Sequence, residues 1–261
     1  MLPALTLLLL AFQQDTKAPM TDATKAYEER ITRYTGGEYK DEQIRYRVLK
    51  PAKIEAGKKY PLVVFLHGAG ERGDDNALQL KYFPEMMAQP EYREKYPSFV
   101  IAPQCREGKS WAGFGRRRGI ATEEAGEPSD QLKFVMQILE THIKNEPVDT
   151  KRLYLTGLSM GGYGAWDWAA REPDRFAAVV PICGGGDESK ADRLVKLPIW
   201  AVHGDEDEAV PVERTRTMIA AIKKAGGDPK YSELKGVGHN SWTPAYTDPN
   251  GVVKWMFEQK K

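Results

Sequence analysis

A serine with glycine two residues away on either side stands at Gly157-Leu158-Ser159-Met160-Gly161, directly after the apolar run Leu153-Tyr154-Leu155-Thr156. A serine in a strained strand-to-helix turn presents its hydroxyl to solvent. The glycines are required because a β-carbon two residues either side would strike the neighbouring strand and helix. The hydroxyl is a poor nucleophile until a base takes its proton, and the chain order nucleophile, acid, histidine places that base downstream. Of the four histidines, His142 falls inside an amphipathic helical pattern, and His67 and His203 each end an apolar run before a glycine, where they shape turns. His239, in Gly236-Val237-Gly238-His239-Asn240, remains as the base. The acid is expected one strand earlier, where Asp205-Glu206-Asp207-Glu208 offers four carboxylates among which periodicity does not choose. Acyl transfer also needs N–H donors for the oxyanion that develops on the carbonyl, and Met160 N–H is one candidate.

Open α/β sheets carry their sites at the carboxyl ends of the strands, so the loops that follow apolar runs are the ones that matter. Residues 62–66, 99–102, 153–156, 177–182 and 198–202 read as strands buried on both faces, and 230–234 as a further strand. Residues 43–49 alternate Ile44, Tyr46 and Val48 with Gln43, Arg45 and Arg47, the pattern of a half-exposed edge strand. Ser129 caps a helix with Leu132, Val135, Met136, Leu139 and Ile143 on one face, which Pro147 ends. Further helices are expected from the serine turn to about Arg171, over 212–225 before Gly226-Gly227, and over 252–259, while the polar stretch 21–35 reads as helical. Strands alternating with helices give the class α/β, a mainly parallel sheet with helices on both faces.

With 41% apolar and 29% charged residues and a net charge of +1, neither disorder nor a field that attracts nucleic acid is indicated. The one basic cluster, Arg116-Arg117-Arg118, reads as a solvated loop with no role beyond substrate contact. Residues 2–12 form an apolar run too short to span a bilayer and sized for the core of a signal peptide, so residues 1–18 are read as a signal and 19–261 as a single catalytic domain. A secreted or periplasmic location follows, with no transmembrane segment. No Cys/His spacing supports a metal site, and no cofactor is expected.

Leu66-His67-Gly68-Ala69-Gly70-Glu71-Arg72-Gly73-Asp74-Asp75-Asn76 resembles the L-H-G-A-G-E-R-G-x-D-N signature of a bacterial family of phospholipase/carboxylesterase or predicted-peptidase type. The chain is also similar to feruloyl esterases and dienelactone-hydrolase-like enzymes, from about residue 40 to the end. The likeness includes Pro103-Gln104-Cys105, Pro181-Ile182-Cys183-Gly184-Gly185 and Gly238-His239-Asn240-Ser241-Trp242. It implies an α/β-hydrolase fold with little or no lid, and an esterase for small or aryl esters. It also chooses Asp207 as the acid, by H-G-x-x-D-x-x-V-P at 203–211, and Ala69 N–H as the second oxyanion donor. Asp205 is then expected to shape its loop, and Glu206 and Glu208 to be solvated. The family's strand order puts the strands before Cys105 and Cys183 three positions apart, about 14 Å, whereas a disulfide needs Cα atoms within about 7 Å; two buried free thiols are expected.

Trp111 and Trp242 are candidates for lining an acyl or aromatic pocket, Glu71 and Arg72 for an ion pair under the oxyanion loop, and Trp166 and Trp168 for core packing. Two other functions fit the same fold. One is a serine peptidase of prolyl-oligopeptidase type, which would bring a large propeller ahead of the first strand. The other is a binding protein that has lost its chemistry, which would show a broken triad.

Overall fold

The computed structural model describes residues 24–113 and 126–261. The signal-like segment and Arg116 to Arg118 lie outside the described residues. In chain order the elements are β1 (Glu28–Gly36), β2 (Tyr39–Leu49), β3 (Tyr60–Leu66), α1 (Phe83–Ala88), α2 (Pro90–Lys95), β4 (Phe99–Pro103), α3 (Asp130–Asn145), β5 (Val148–Leu158), α4 (Met160–Arg171), β6 (Ala178–Ile182), β7 (Trp200–Gly204), α5 (Glu213–Lys224), β8 (Lys230–Leu234), α6 (Trp242–Thr247) and α7 (Val252–Glu258). The strands form one sheet in the order β1-β2-β4-β3-β5-β6-β7-β8. Only β2 runs against the others: it pairs antiparallel with β1 and β4, while every other pairing is parallel. This is the α/β-hydrolase fold.

Alternation along the central strands splits the core into two layers. Leu62, Val64 and Leu66 of β3 join Leu155 and Val179 beneath α3, α4 and α5; Val63 and Phe65 join Tyr154 and Val180 beneath α1, α6 and α7. Trp166 and Trp168 are buried in the first of these layers. Both faces of the sheet are therefore covered, as the uniformly apolar strands require.

Two expectations are corrected. Residues 28–36 of the stretch read as helical form β1 instead, because Gly36 and Gly37 turn the chain back and the whole strand pairs with β2 from Glu28↔Val48 to Gly36↔Tyr39. Ile31, Thr32, Tyr34 and Thr35 also favour a strand, in agreement with the hairpin pairing. β2 therefore lies one strand in from the edge, and its alternation survives because Ile44, Tyr46 and Val48 face the α3 layer. Tyr34 of β1 packs edge-on against Phe134 of α3, with ring centroids 6.1 Å apart.

α3 begins as expected, with Ser129 Oγ accepting from Leu132 N at 3.0 Å. Near its end the buried His142 lies 3.2 Å from the Tyr46 hydroxyl. Burial first, then the charges of Arg30 and Lys50, lower its ionisation to about 4. Between that value and the ordinary histidine range the unfolded chain binds the extra proton, so stability is full at neutral pH and falls as the solution is acidified through this window. Lowering the pH from 7 to 4.5 should cost roughly 2 kcal/mol through this residue. Thermal unfolding of His142→Phe should show a shallower loss of Tm over that range than wild type; parallel losses would contradict the assignment.

Candidate active site

The turn between β5 and α4 is closed by contacts that leave no room for side chains. A β-carbon on Gly161 would lie 1.8 Å from the Leu66 carbonyl oxygen, one on Gly157 2.4 Å from the Gly161 oxygen, and one on Gly162 2.4 Å from the Ile182 oxygen. Ser159, at the apex, has φ 52°, the left-handed region that side chains avoid. Its N–H donates to the Ile182 oxygen at 2.9 Å and faces Cys183 Sγ at 3.3 Å, which holds the strained turn against the end of β6.

Because β5, β7 and β8 are parallel, their carboxyl ends emerge on one side of the sheet. The loops after them bring Ser159, Asp207 and His239 together. Ser159 Oγ lies 2.9 Å from His239 Nε2, and His239 Nδ1 lies 2.7 Å from Asp207 Oδ2. A carboxylate only accepts, so Nδ1 carries the proton and the Nε2 lone pair faces the serine hydroxyl. Asp207 is buried, and Oδ1 accepts from the N–H groups of Ala209 and Val210, each at 2.9 Å. Burial alone would raise its carboxyl, but the hydrogen bond from His239 and the two backbone donors outweigh it and hold the group below the usual carboxylate range. An ionised, well-held acid beneath a histidine is what stabilises an imidazolium during proton transfer. Asp205 accepts from Gly236 N at 2.7 Å, while Glu206 and Glu208 are exposed.

Beside the serine stands the loop after β3. The β-carbon position of Gly68 is 3.7 Å from Ser159 Cβ. Ala69 opens the short 3-10 turn Ala69–Glu71 and Met160 opens α4, positions whose N–H groups have no partner within their own element. His67 shapes this loop: Nε2 accepts from Cys105 N at 2.9 Å, so Nδ1 donates to the Gly68 oxygen at 2.6 Å. Burial lowers its ionisation to about 4, which keeps the ring neutral.

Trp111 does not line the site. It is fully buried, donates Nε1–H to the His67 oxygen at 3.0 Å and packs edge-on against His67 and Phe134, so it supports the loop after β3 from behind. Trp242, half-buried, does stand at the site, its ring 5.3 Å from that of His239. Its other neighbour, Tyr82, 5.4 Å away, was not singled out by sequence reasoning. Tyr82 is exposed and held at φ 63°, a strained position for a bulky residue. The expected Glu71–Arg72 ion pair is not formed among the described residues. The buried Glu71 carboxylate turns back on Gly68 instead, 3.0 Å from its β-carbon position, and burial raises its ionisation.

Cys105 and Cys183 are both buried and are not joined in a disulfide. Cys183 Sγ, Asp207 and His239 are a group whose donor atoms lie within 4.8 Å of one another. Burial pushes the Cys183 thiol up to about 12, and the other two are already engaged in the hydrogen-bonded chain to Ser159.

Residues 99–247 match the model of the dienelactone hydrolase family. A Bacillus subtilis protein described as an uncharacterized peptidase is 26% identical over 74% of this chain and 33% of its own length. A bifunctional acetylxylan esterase/xylanase of Neocallimastix patriciarum is 28% identical over 77% of this chain and 27% of its own. The chain thus spans a third or less of these two curated relatives. Among solved structures a thermostable esterase superposes with a TM-score of 0.82 at 37% identity, covering 92% of this chain and 64% of that one.

The different placements of the two tryptophans separate their effects. Trp111→Ala should destabilise the protein by about 3–5 kcal/mol, as a large core truncation does. Trp242→Ala should leave Tm within a few degrees. Equal losses of Tm in denaturation scans would contradict this division.

Proposed function

The chain belongs to the dienelactone hydrolase family, and from that premise we propose that it is a serine carboxylesterase hydrolysing small or aryl carboxylic esters through an acyl-enzyme. The observation that carries the reading is the unbroken chain Ser159 Oγ, His239 Nε2, His239 Nδ1, Asp207 Oδ2, with contacts of 2.9 and 2.7 Å. His239 takes the Ser159 proton as Oγ attacks the ester carbonyl, and Asp207 stabilises the imidazolium that results. The tetrahedral oxyanion accepts from the N–H groups of Met160 and Ala69. Collapse of this intermediate expels the alcohol, which takes the proton from His239. Water then attacks the acyl-Ser159 ester with His239 again as base, and the carboxylic acid leaves.

Trp242 and Tyr82 form an aromatic wall beside the base, suited to the aryl part of an ester. The reading of residues 1–18 as an export signal belongs here too, giving a secreted or periplasmic enzyme. Among the described residues no helix is long and apolar enough to cross a membrane. N-terminal sequencing of the exported protein should find a start between residues 12 and 19; an intact Met1 would contradict export by cleavage.

Ser159→Ala should abolish turnover of a short activated ester, and Asp207→Asn should lower kcat by about a thousandfold or more with folding intact. Steady-state assay of the purified variants decides; wild-type rates in Ser159→Ala would overturn the mechanism. A panel of short aliphatic esters, hydroxycinnamate esters and peptide amides, assayed at neutral to mildly alkaline pH, should show kcat/KM highest for esters. Tyr82→Ala and Trp242→Ala should each raise KM for aryl esters more than for acetyl esters. Faster cleavage of amides would favour the peptidase reading, to which the Bacillus subtilis relative lends support.

A further inference from the structure

Asp207 serves two histidines. Its Oδ2 lies 2.7 Å from His239 Nδ1 and 3.1 Å from Nε2 of His203, whose ring is completely buried. His203 Nε2 also faces the Val210 carbonyl at 2.9 Å. A carboxylate and a carbonyl only accept, so this nitrogen must carry a proton. On the far side of the ring, Nδ1 lies 2.8 Å from Thr215 Oγ1, itself 2.9 Å from the Gly184 oxygen. Burial opposes a charge on His203, so the neutral ring bears its one proton at Nε2, shared between the Val210 carbonyl and Asp207 Oδ2, while the Thr215 hydroxyl donates to the Gly184 oxygen with its Oγ1 beside Nδ1.

Resting on the hydrolase reading, we propose that His203 is a positioning residue for the acid: its Nε2–H holds Asp207 in line with His239 and ties it, through Thr215, to the backbone at Gly184. That tie reaches the nucleophile. Gly184 packs so closely on the first turn of α4 that a β-carbon there would lie 2.5 Å from the Gly162 carbonyl carbon. The loop carrying Asp207, α5, the end of β6 and the serine turn are thus joined through buried contacts. A second donor on Oδ2 leaves the carboxylate little freedom to rotate away from His239. It also keeps the negative charge on Asp207 when the imidazolium of His239 forms, because a fully hydrogen-bonded carboxylate is a poor proton acceptor.

Two substitutions separate positioning from support of the fold. Gln at 203 keeps a side-chain N–H donor near the Nε2 position, whereas Leu fills the space without one. With active sites counted by a fluorophosphonate label, His203→Leu should lower kcat for a short ester about tenfold, the scale of one hydrogen bond to a charged group, with KM within about twofold. His203→Gln should recover most of the loss. A residue that only supports the fold would lower Tm and the labelled fraction while leaving kcat per labelled site unchanged. Wild-type kcat in the Leu variant, or equal losses in both variants, would overturn the proposal. Histidine-labelled wild-type protein gives a second test that needs neither variant nor substrate: 15N NMR should show a proton on His203 Nε2 at neutral pH, and an unprotonated Nε2 would sink it. Failure to hydrolyse any ester would count against the hydrolase reading and leave that NMR result standing.

Discussion

Backbone meets backbone where the end of β3, the serine turn and the end of β6 converge, and this close approach is the constraint from which the site follows. Gly161 sits against the Leu66 carbonyl, Gly162 against the Ile182 carbonyl, and Gly184 against Gly162, at distances that exclude any side chain. The approach forces Ser159 into the left-handed region, and the bonds from its N–H to the end of β6 hold it there. Strain of this kind persists only where the surroundings over-determine it. Here they do so by packing α4 onto the two central strands, so Ser159 is half-buried and firmly held.

The electrostatics follow from that geometry. The turn aims Ser159 Oγ along the carboxyl edge of the sheet, and the parallel order β5-β6-β7-β8 sets the loops carrying Asp207 and His239 within reach. Asp207 is the one buried carboxylate in this chain of groups, and its donors decide that it stays ionised. His67 and His203 sit close by but are kept neutral by burial, each spending its nitrogens on the loop it organises. Of these three histidines, His239 is the one whose lone pair is directed at the Ser159 hydroxyl. Three histidines thus lie around one site, and hydrogen-bond partners, not proximity, set His239 apart as the proposed base.

Much of this was legible in the sequence because the signals are local. Gly157 and Gly161 around Ser159, the apolar runs and the Ser129 cap are each set by neighbouring residues, whereas the choice of Asp207 among four carboxylates rested on family resemblance. What was not legible depended on contacts distant in the chain. β1 was hidden because its one face is polar and its state is set by pairing with β2 across the Gly36-Gly37 turn. Trp111 lies in a loop that sequence places near the site, yet its ring is drawn inward by the His67 carbonyl and Phe134. Tyr82 approaches Trp242 across 160 residues of chain, which no spacing rule reports. His203 had a signal, a histidine four residues before the acid, but its hydrogen bond to Asp207 appears only when the loop folds back.

The central claim is that Ser159, and no other side chain, carries the acyl group during turnover. Rapid quenching of the protein with a slowly deacylating aryl ester, followed by peptide mass spectrometry, measures this directly. One acyl adduct per chain is expected, on the peptide containing Ser159, formed at a rate that matches the burst of alcohol release. An adduct on Cys183 or His239, or full turnover with no adduct on Ser159, would contradict it.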